Sequence, residues 1–259
     1  MNGIGKVDSL WRYPVKSMRG EEMAELFVGY AGVYGDRLFA FRSSTAPAGF
    51  PYFTGRDERE MIRYRPRFRY PEKAARPVNL IDAEKNGAAP LSGTPEELMI
   101  DVETPEGGVF PIDDPRLKEL LANGRQGDLT LIRSERAITD CRPVSVFSIQ
   151  TAQQIGQEIG HHVDHRRFRA NVYLDLPEIG PFAEEQLVGR SLRLGSKVVV
   201  AIIQRDSRCM MVTLDPDTAE KNPAVLKTIA QAHTGHAGLY GAVVIEGLVA
   251  KGDPVTLLD

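Results

Sequence analysis

The sequence predicts an α+β protein rich in β-strand, with a β-rich first part and a mixed second part. Two observations carry this reading. Short runs of Val, Ile, Leu, Phe and Tyr alternate with polar residues and stop at Gly, Pro, Ser or Asp along most of the chain. Helical periodicity with cap residues is confined to a few segments, most of them in the second half. The 259 residues can bury a full core as one large domain or two small ones, and no fixed-period repeat is present.

The elements follow in order. "KVDSLWRYPVKS" alternates until Pro14, and "AELFVG" and "DRLFAFRSS" are short strand-like runs. "MIRYRPRFRY" alternates strictly, with Arg63, Arg65, Arg67 and Arg69 on one face and Ile62, Tyr64, Pro66, Phe68 and Tyr70 on the other. Pro66 cannot donate to a ladder, so this strand belongs at an edge or is irregular. From Pro71 to Thr94 the chain is polar and carries only weak strand signals. "LMIDVE" and "GVFPI" form a hairpin around Pro-Glu-Gly-Gly. "DPRLKELLANG" has Pro near its start and Gly past its end, which predicts a short helix. The boundary between the two parts falls near residues 108–120.

Beyond it, "DLTLIRSE" and "RPVSVFSI" read as strands. "SIQTAQQIGQEIGHHVD" reads as a helix with Ala152, Ile155, Ile159 and Val163 near one face, capped by Ser148 or Thr151 and fraying at Gly160. "FRANVYLDL" is a strand and "SLRLGSKVVVAIIQ" a hairpin. "NPAVLKTIAQAH" is a helix with Asn222 as N-cap and Pro223 at its first position. "LYGAVVIEG" and "DPVTLLD" close the chain as strands.

Charge and cysteine content narrow the function. The net charge of -3 gives no bulk positive field for nucleic acid or a membrane surface. Two cysteines, Cys141 and Cys209, exclude a disulfide scaffold and an iron–sulfur cluster held by four cysteines of this chain. No apolar region of a signal peptide opens the sequence and no run is long enough to span a bilayer, so a cytoplasmic location is expected.

Four features are candidate sites. Cys209 follows Arg205 and Arg208, which can favour a thiolate, the form that ligates metals or reacts. Strand alternation turns Arg208 to the other face, and a free cysteine is commonly a small core residue. Cys141 in "DCRPV" reads as structural. The helix that opens at Ser148 offers free N–H groups and a dipole to a phosphate, with Ser148 and Thr151 as hydroxyl donors, although a capped helix needs no ligand. His161 and His165 stand four apart, as zinc ligands on a helix can, but no HExxH motif accompanies them, and polar residues at helix ends are the commoner case. Between Arg56 and Arg76 eight basic residues face four acidic ones, a local excess of +4 that would suit an acidic partner or RNA and is more often a solvated face. No phosphate loop, dinucleotide fingerprint or nucleophile elbow is present.

Several of these stretches resemble one family. "SRC" followed by "LDPDT" is similar to the signature of MOSC proteins, named after the C-terminal domain of molybdenum cofactor sulfurases. "YPVKS" (Tyr13–Ser17) and "GDR" (Gly35–Arg37) resemble motifs of the β-barrel domain that precedes MOSC. "DCRP", the S-x-x-T opening of the helix, "FRAN" (Phe168–Asn171) and "GDPV" follow in the family's order. Nearly the whole chain is covered, and the mitochondrial amidoxime-reducing components and their bacterial relatives are the nearest in pattern. The resemblance implies an N-terminal β-barrel-like domain over 1–110 and a MOSC β-barrel domain with a few helices over 111–259.

The resemblance also implies roles. Cys209 matches the molybdenum ligand, and so the catalytic centre, with Ser207 beside the cofactor. Lys16, Ser17 and Arg37 in the first domain, and Ser148, Thr151, Arg169 and Asn171 in the second, match residues that hold the pterin or its phosphate. The molybdenum cofactor (molybdopterin) would then sit between the domains. A phosphate prefers Arg or Lys with helix N-terminal amides, and a soft thiolate suits a soft metal. The implied activity is an oxidoreductase removing oxygen from small N-hydroxylated substrates, with electrons from a separate donor protein, since this chain lacks the cysteines of a cluster. The alternatives are a sulfur or cofactor carrier using Cys209 as a persulfide or docking thiol, and a non-catalytic binding module built on the Arg-rich strand. Neither nucleic acid nor membrane is an expected partner of the reductase.

Overall fold

The structure is a computed structural model that describes residues 2–258. In chain order the strands are β1 (Asn2–Arg12), β2 (Glu21–Met23), β3 (Glu25–Gly29), β4 (Gly32–Val33), β5 (Phe39–Ser43), β6 (Tyr52–Phe53), β7 (Arg65–Phe68), β8 (Ile100–Glu103), β9 (Val109–Pro111), β10 (Leu129–Arg133), β11 (Val144–Ser148), β12 (Val172–Asp175), β13 (Ser191–Leu194), β14 (Val198–Ser207), β15 (His236–Ile245), β16 (Gly247–Ala250) and β17 (Pro254–Leu258). The helices are α1 (Leu80–Asn86), α2 (Pro115–Ala122), α3 (Ile149–Ile159) and α4 (Pro223–Ala232). The fold is α+β and β-rich, as the strand runs predict. No helix among the described residues is long and apolar enough to cross a membrane.

The chain forms two compact units and alternates between them. One holds the residues up to Arg12, Glu21–Val33 and everything from Thr139 on; the other holds Tyr13–Gly20 and Tyr34–Ile138.

The first unit is a closed barrel of seven strands in the order β12-β11-β15-β14-β13-β17-β1, sealed by the pairing of β1 with β12. Only β11 and β12 run parallel. Alternation fills the interior: Val7, Leu10, Val146, Val172, Leu192, Val200, Ile202, Leu239 and Val255 all lie in one buried cluster. Each such side chain contributes roughly 1.5–3 kcal/mol on leaving water. A register shift between Val7 and Ser9 makes Asp8 the extra residue of a bulge. A second cluster holds Phe147, Phe168 and Tyr173 together with Ala152 and Ile155 of α3 and Val225 and Ile229 of α4. The Phe147 and Phe168 rings stack there with centroids 4.1 Å apart. The caps read from sequence are in place: Asn222 accepts from the Ala224 N–H at the start of α4, and Gly160 ends α3 in the left-handed region at φ 71°.

The second unit has two three-stranded sheets, β10-β5-β6 and β7-β8-β9, over a core that includes Phe39, Phe41, Met61, Phe68, Ile100, Leu117 and Leu121. The hairpin β8–β9 and the helix α2, capped by Asp114, form where the turn and cap residues place them. Two readings change. The alternating "MIRYRPRFRY" is not one strand: Arg59–Arg63 is a 3-10 helix in which Met61 and Ile62 are both buried, and only Arg65–Phe68 extends as β7. β7 is an edge strand, where Pro66 costs the ladder nothing. The polar stretch before Thr94 carries the helix α1 instead of strand. It is only seven residues long and buries just Leu80 and Ala83, too few to leave a periodic signal.

Candidate functional site

In the first unit the candidate residues cluster around the ends of three barrel strands. β14 ends at Ser207, which is exposed and pairs in register with His236 of β15. Two residues on, Cys209 is a free, partly exposed cysteine with extended backbone that leads into the 3-10 turn Met210–Thr213. Arg208, between them, points the other way. Its guanidinium pairs with buried Asp206 at 2.8 Å and donates to the Ala237 and Phe168 carbonyls at 2.6 and 3.0 Å. It also lies over the Phe147 and Phe168 rings, at 5.7 and 5.3 Å. Arg208 is therefore a structural clamp: it ties the Ser207–Cys209 corner to the loop holding Phe168 and Arg169. Arg205 spends its charge on Glu185 at 3.2 Å.

Arg169 closes the 3-10 turn His165–Phe168 with φ 53°, a left-handed conformation in which an L side chain is strained. Asn171 is fully buried and staples the sheet. Its Oδ1 accepts from the N–H and hydroxyl of Ser145 at 3.2 and 3.1 Å, and its Nδ2 donates to the Trp11 carbonyl at 3.3 Å.

Ser148 and Thr151 face protein partners at the start of α3. The Ser148 hydroxyl donates to Gln150 Oε1 at 2.9 Å. The Thr151 hydroxyl donates to Glu184 Oε1 at 2.6 Å and accepts from the Phe182 N–H at 2.8 Å. Glu184 is buried, and its Oε2 has no hydrogen-bond partner among the described residues. Burial pushes its carboxyl up to about 7 against the Thr151 hydroxyl and the amides of Glu184 and Ser148, which pull it down. The Thr151 hydroxyl ties this carboxyl to the first turn of α3.

In the second unit Lys16, Ser17 and Arg37 come together through the backbone. Lys16 N–H donates to Phe39 O at 2.8 Å, and Arg37 N–H to Tyr13 O at 2.6 Å. Ser17 and Arg37 both have left-handed backbones, at φ 66° and 45°. The Lys16 ammonium is buried, donates to Ile138 O at 3.0 Å and lies 5.0 Å over the Tyr52 ring. Arg37 stacks over Tyr13 at 4.7 Å and pairs with Asp36, a buried carboxylate that also accepts the Tyr13 N–H at 2.7 Å. Asp36 was missed in the sequence although it lies within "GDR"; Glu184 was missed because "AEEQ" reads as a solvated acidic pair.

Two candidates gain no site. His161 and His162 are exposed, and no group of three or more His, Cys, Asp or Glu among the described residues could hold a metal ion. The arginines of β7 meet carboxylates across the ladder: Arg65 and Arg67 face Glu103 at 3.9 and 3.8 Å, and Arg69 pairs with Asp101 at 2.6 Å. Asp101 and Glu103 of β8 offset part of the local positive excess.

Comparison with known families gives the same order of parts. Residues 4–92 match the MOSC N-terminal beta barrel domain and residues 133–256 match the MOSC domain. The chain is a MOSC protein. Among solved structures, the YuaD protein of Bacillus subtilis is similar at 16% identity, with a TM-score of 0.49, covering 98% of this chain and 94% of its own. YiiM of Geobacillus stearothermophilus (19% identity, TM-score 0.36) and YiiM of Escherichia coli (18%, 0.34) each cover 46% of this MOSC protein and 55% of their own chains. No curated protein matches the MOSC chain.

Proposed function

We propose that this MOSC protein binds molybdenum cofactor through Cys209 and reduces small N-hydroxylated compounds. The observation that carries the reading is backbone strain. Seven described non-glycine residues have positive φ, and three of them are Ser17, Arg37 and Arg169, each a predicted cofactor-binding residue. Glycine or asparagine would hold these turns with less strain, and strained non-glycine backbone concentrates at ligand-holding sites.

The donor set fits the group. Cys209 offers one soft ligand, and no cluster of further protein ligands exists among the described residues. That suits a metal whose other ligands arrive with an organic cofactor, and does not suit a bare ion. The anionic part of the cofactor calls for a cation on a rigid backbone, which Arg169 supplies in the first unit; Lys16 and Arg37, in the second, are engaged by the Ile138 carbonyl and Asp36. Ser148, Thr151 and Asn171 support this set from behind, since their side chains are buried in bonds to protein.

When bound, the cofactor supplies two-electron oxygen-atom-transfer chemistry at molybdenum. Cys209 would hold the metal as a permanent ligand. The exposed Ser207 hydroxyl, on the same side of the strand end two residues away, is placed to orient a substrate or hold its proton. Electrons would come from a separate donor protein. The carrier reading places a persulfide on Cys209 instead, and the state of that sulfur separates the two.

The test is the metal and pterin content of protein expressed in a host that makes molybdenum cofactor. Near-stoichiometric molybdenum and pterin in the wild type, with metal lost in Cys209→Ala, are expected, followed by benzamidoxime reduction with an artificial electron donor. A wild type that carries sulfane sulfur on Cys209 and neither metal nor pterin would select the carrier instead.

A further inference from the structure

A cleft of about 330 Å³ opens beside β1 in the first unit, and none of the residues assigned above to the cofactor lines it. The bulge at Asp8 creates it. Val7 and Leu10 point into the barrel core, while Ser9 and Trp11 are left on the cleft side. Glu22 of β2, in register with Trp11, and Lys251 form one wall; His165 and Arg166 form the other.

The cations of the walls are already matched. Lys251 pairs with Glu22 at 3.0 Å, and Arg166 bridges Asp164 and Asp217, both at 2.6 Å, while lying 5.9 Å over the Trp11 ring. Other groups are not matched. Ser9 is 5% exposed and its hydroxyl has no hydrogen-bond partner among the described residues; Trp11 is half-buried, and its buried Nε1 has none there either. Asp8 makes no ion pair or side-chain hydrogen bond among those residues. Burial holds the His165 imidazole below its ordinary pKa, so it adds no positive charge at neutral pH. Within the lining Lys251 is taken by Glu22 and Arg166 by Asp164 and Asp217, which leaves Asp8 as the lining carboxylate without an ion pair among the described residues.

A buried donor pair with no acceptor, next to a carboxylate with no ion pair of its own, points to a ligand. We propose that this cleft binds a small organic cation with an adjacent oxygen, of the amino-alcohol or amino-amide class: its ammonium meets Asp8 and its oxygen accepts from Ser9 and Trp11. At about 330 Å³ the cleft takes such a head group with room for a further substituent. A free anion would leave Asp8 without a counter-charge, and a purely apolar ligand leaves Ser9 and Trp11 unpaired.

Trp11 is the single tryptophan of the chain, so its emission and its indole N–H resonance report on the cleft alone. Purified protein would be titrated with ethanolamine hydrochloride and with glycinamide, using sodium glycolate as the anionic control. The expected result is a saturable change for the two cations, about tenfold weaker for glycolate, and about tenfold weaker for the cations in Asp8→Asn. The indole N–H of the wild type should shift with ethanolamine and not with glycolate, a readout that needs no variant. No saturable change, an equal response to glycolate, or an unaltered indole resonance would overturn the proposal. None of these outcomes depends on cofactor loading, so they stand apart from the test of Cys209.

Discussion

Thr151 holds Glu184 at 2.6 Å, and that bond ties a buried carboxyl to the first turn of α3. Burial raises the Glu184 pKa from 4.5 to about 7. Between those values the folded protein binds more protons than the unfolded chain, so stability falls as pH rises. The contribution of this group is fully present below 4.5 and lost by the time pH has passed about 7. It amounts to no more than about 3 kcal/mol. Glu184→Gln keeps the shape and removes the titration. Urea unfolding at pH 5 and pH 8 should show a smaller loss of stability in the variant than in the wild type. Equal losses would mean that Glu184 is ionised throughout.

Thr151→Val tests the other partner. It leaves Glu184 without its hydroxyl donor and the Phe182 N–H without its acceptor, both in a site with no access to water. Two buried groups left unpaired should cost about 2–4 kcal/mol in chemical denaturation. A cost below about 1 kcal/mol would show that the pair relaxes onto other partners.

The backbone at Arg169 separates strain from use. Arg169→Ala and Arg169→Gly remove the same side chain, but only glycine tolerates φ 53° freely. The glycine variant should be more stable than the alanine variant by about 1 kcal/mol. Both should lose molybdenum and pterin loading to a similar extent. Full loading in either variant would remove Arg169 from the cofactor set.

What could be read from sequence follows from how local each signal is. The caps of α2 and α4 depend on one or two neighbouring residues and form where Asp114 and Asn222 place them, whereas α3 starts at Ser148 without a side-chain cap, because the Ser148 and Thr151 hydroxyls are drawn to Gln150 and Glu184. The barrel strands alternate because one face is buried, so their existence was legible while closure through β1 and β12 was not: it joins residues more than 160 positions apart. The same distance hides partners. Thr151 reads as a free hydroxyl until Glu184 is brought to it, and the arginines of β7 read as a basic face until β8 sets Asp101 and Glu103 across the ladder. Asp36 lay inside a recognised motif, yet its role is to fix Tyr13 and Arg37, a relationship that only packing reveals.

Asn171 shows how a predicted binding residue can act through structure. Its side chain joins β11 to β1 through Ser145 and the Trp11 carbonyl, with no exposed surface. Asn171→Ala should cost about 2–4 kcal/mol, seen as a lower urea midpoint at unchanged slope. Cofactor loading should fall only in proportion to the unfolded fraction. Loading that vanishes while the fold stays intact would return Asn171 to direct contact.

The Arg-rich edge strand gives the last prediction, on the separate electron donor. Arg65 and Arg67 are 46% and 70% exposed at the side chain, and both reach Glu103 only at about 3.9 Å, so neither bond matters much for stability. The double variant Arg65→Glu and Arg67→Glu should therefore unfold within about 1 kcal/mol of the wild type. If an acidic redox protein docks on this strand, reversing two charges slows electron delivery severalfold at low ionic strength and leaves turnover with an artificial donor unchanged. The salt dependence of turnover with the protein donor should also flatten. Steady-state rates at two salt concentrations, with protein and artificial donors side by side, decide it. A salt dependence identical to that of the wild type would place the docking face elsewhere.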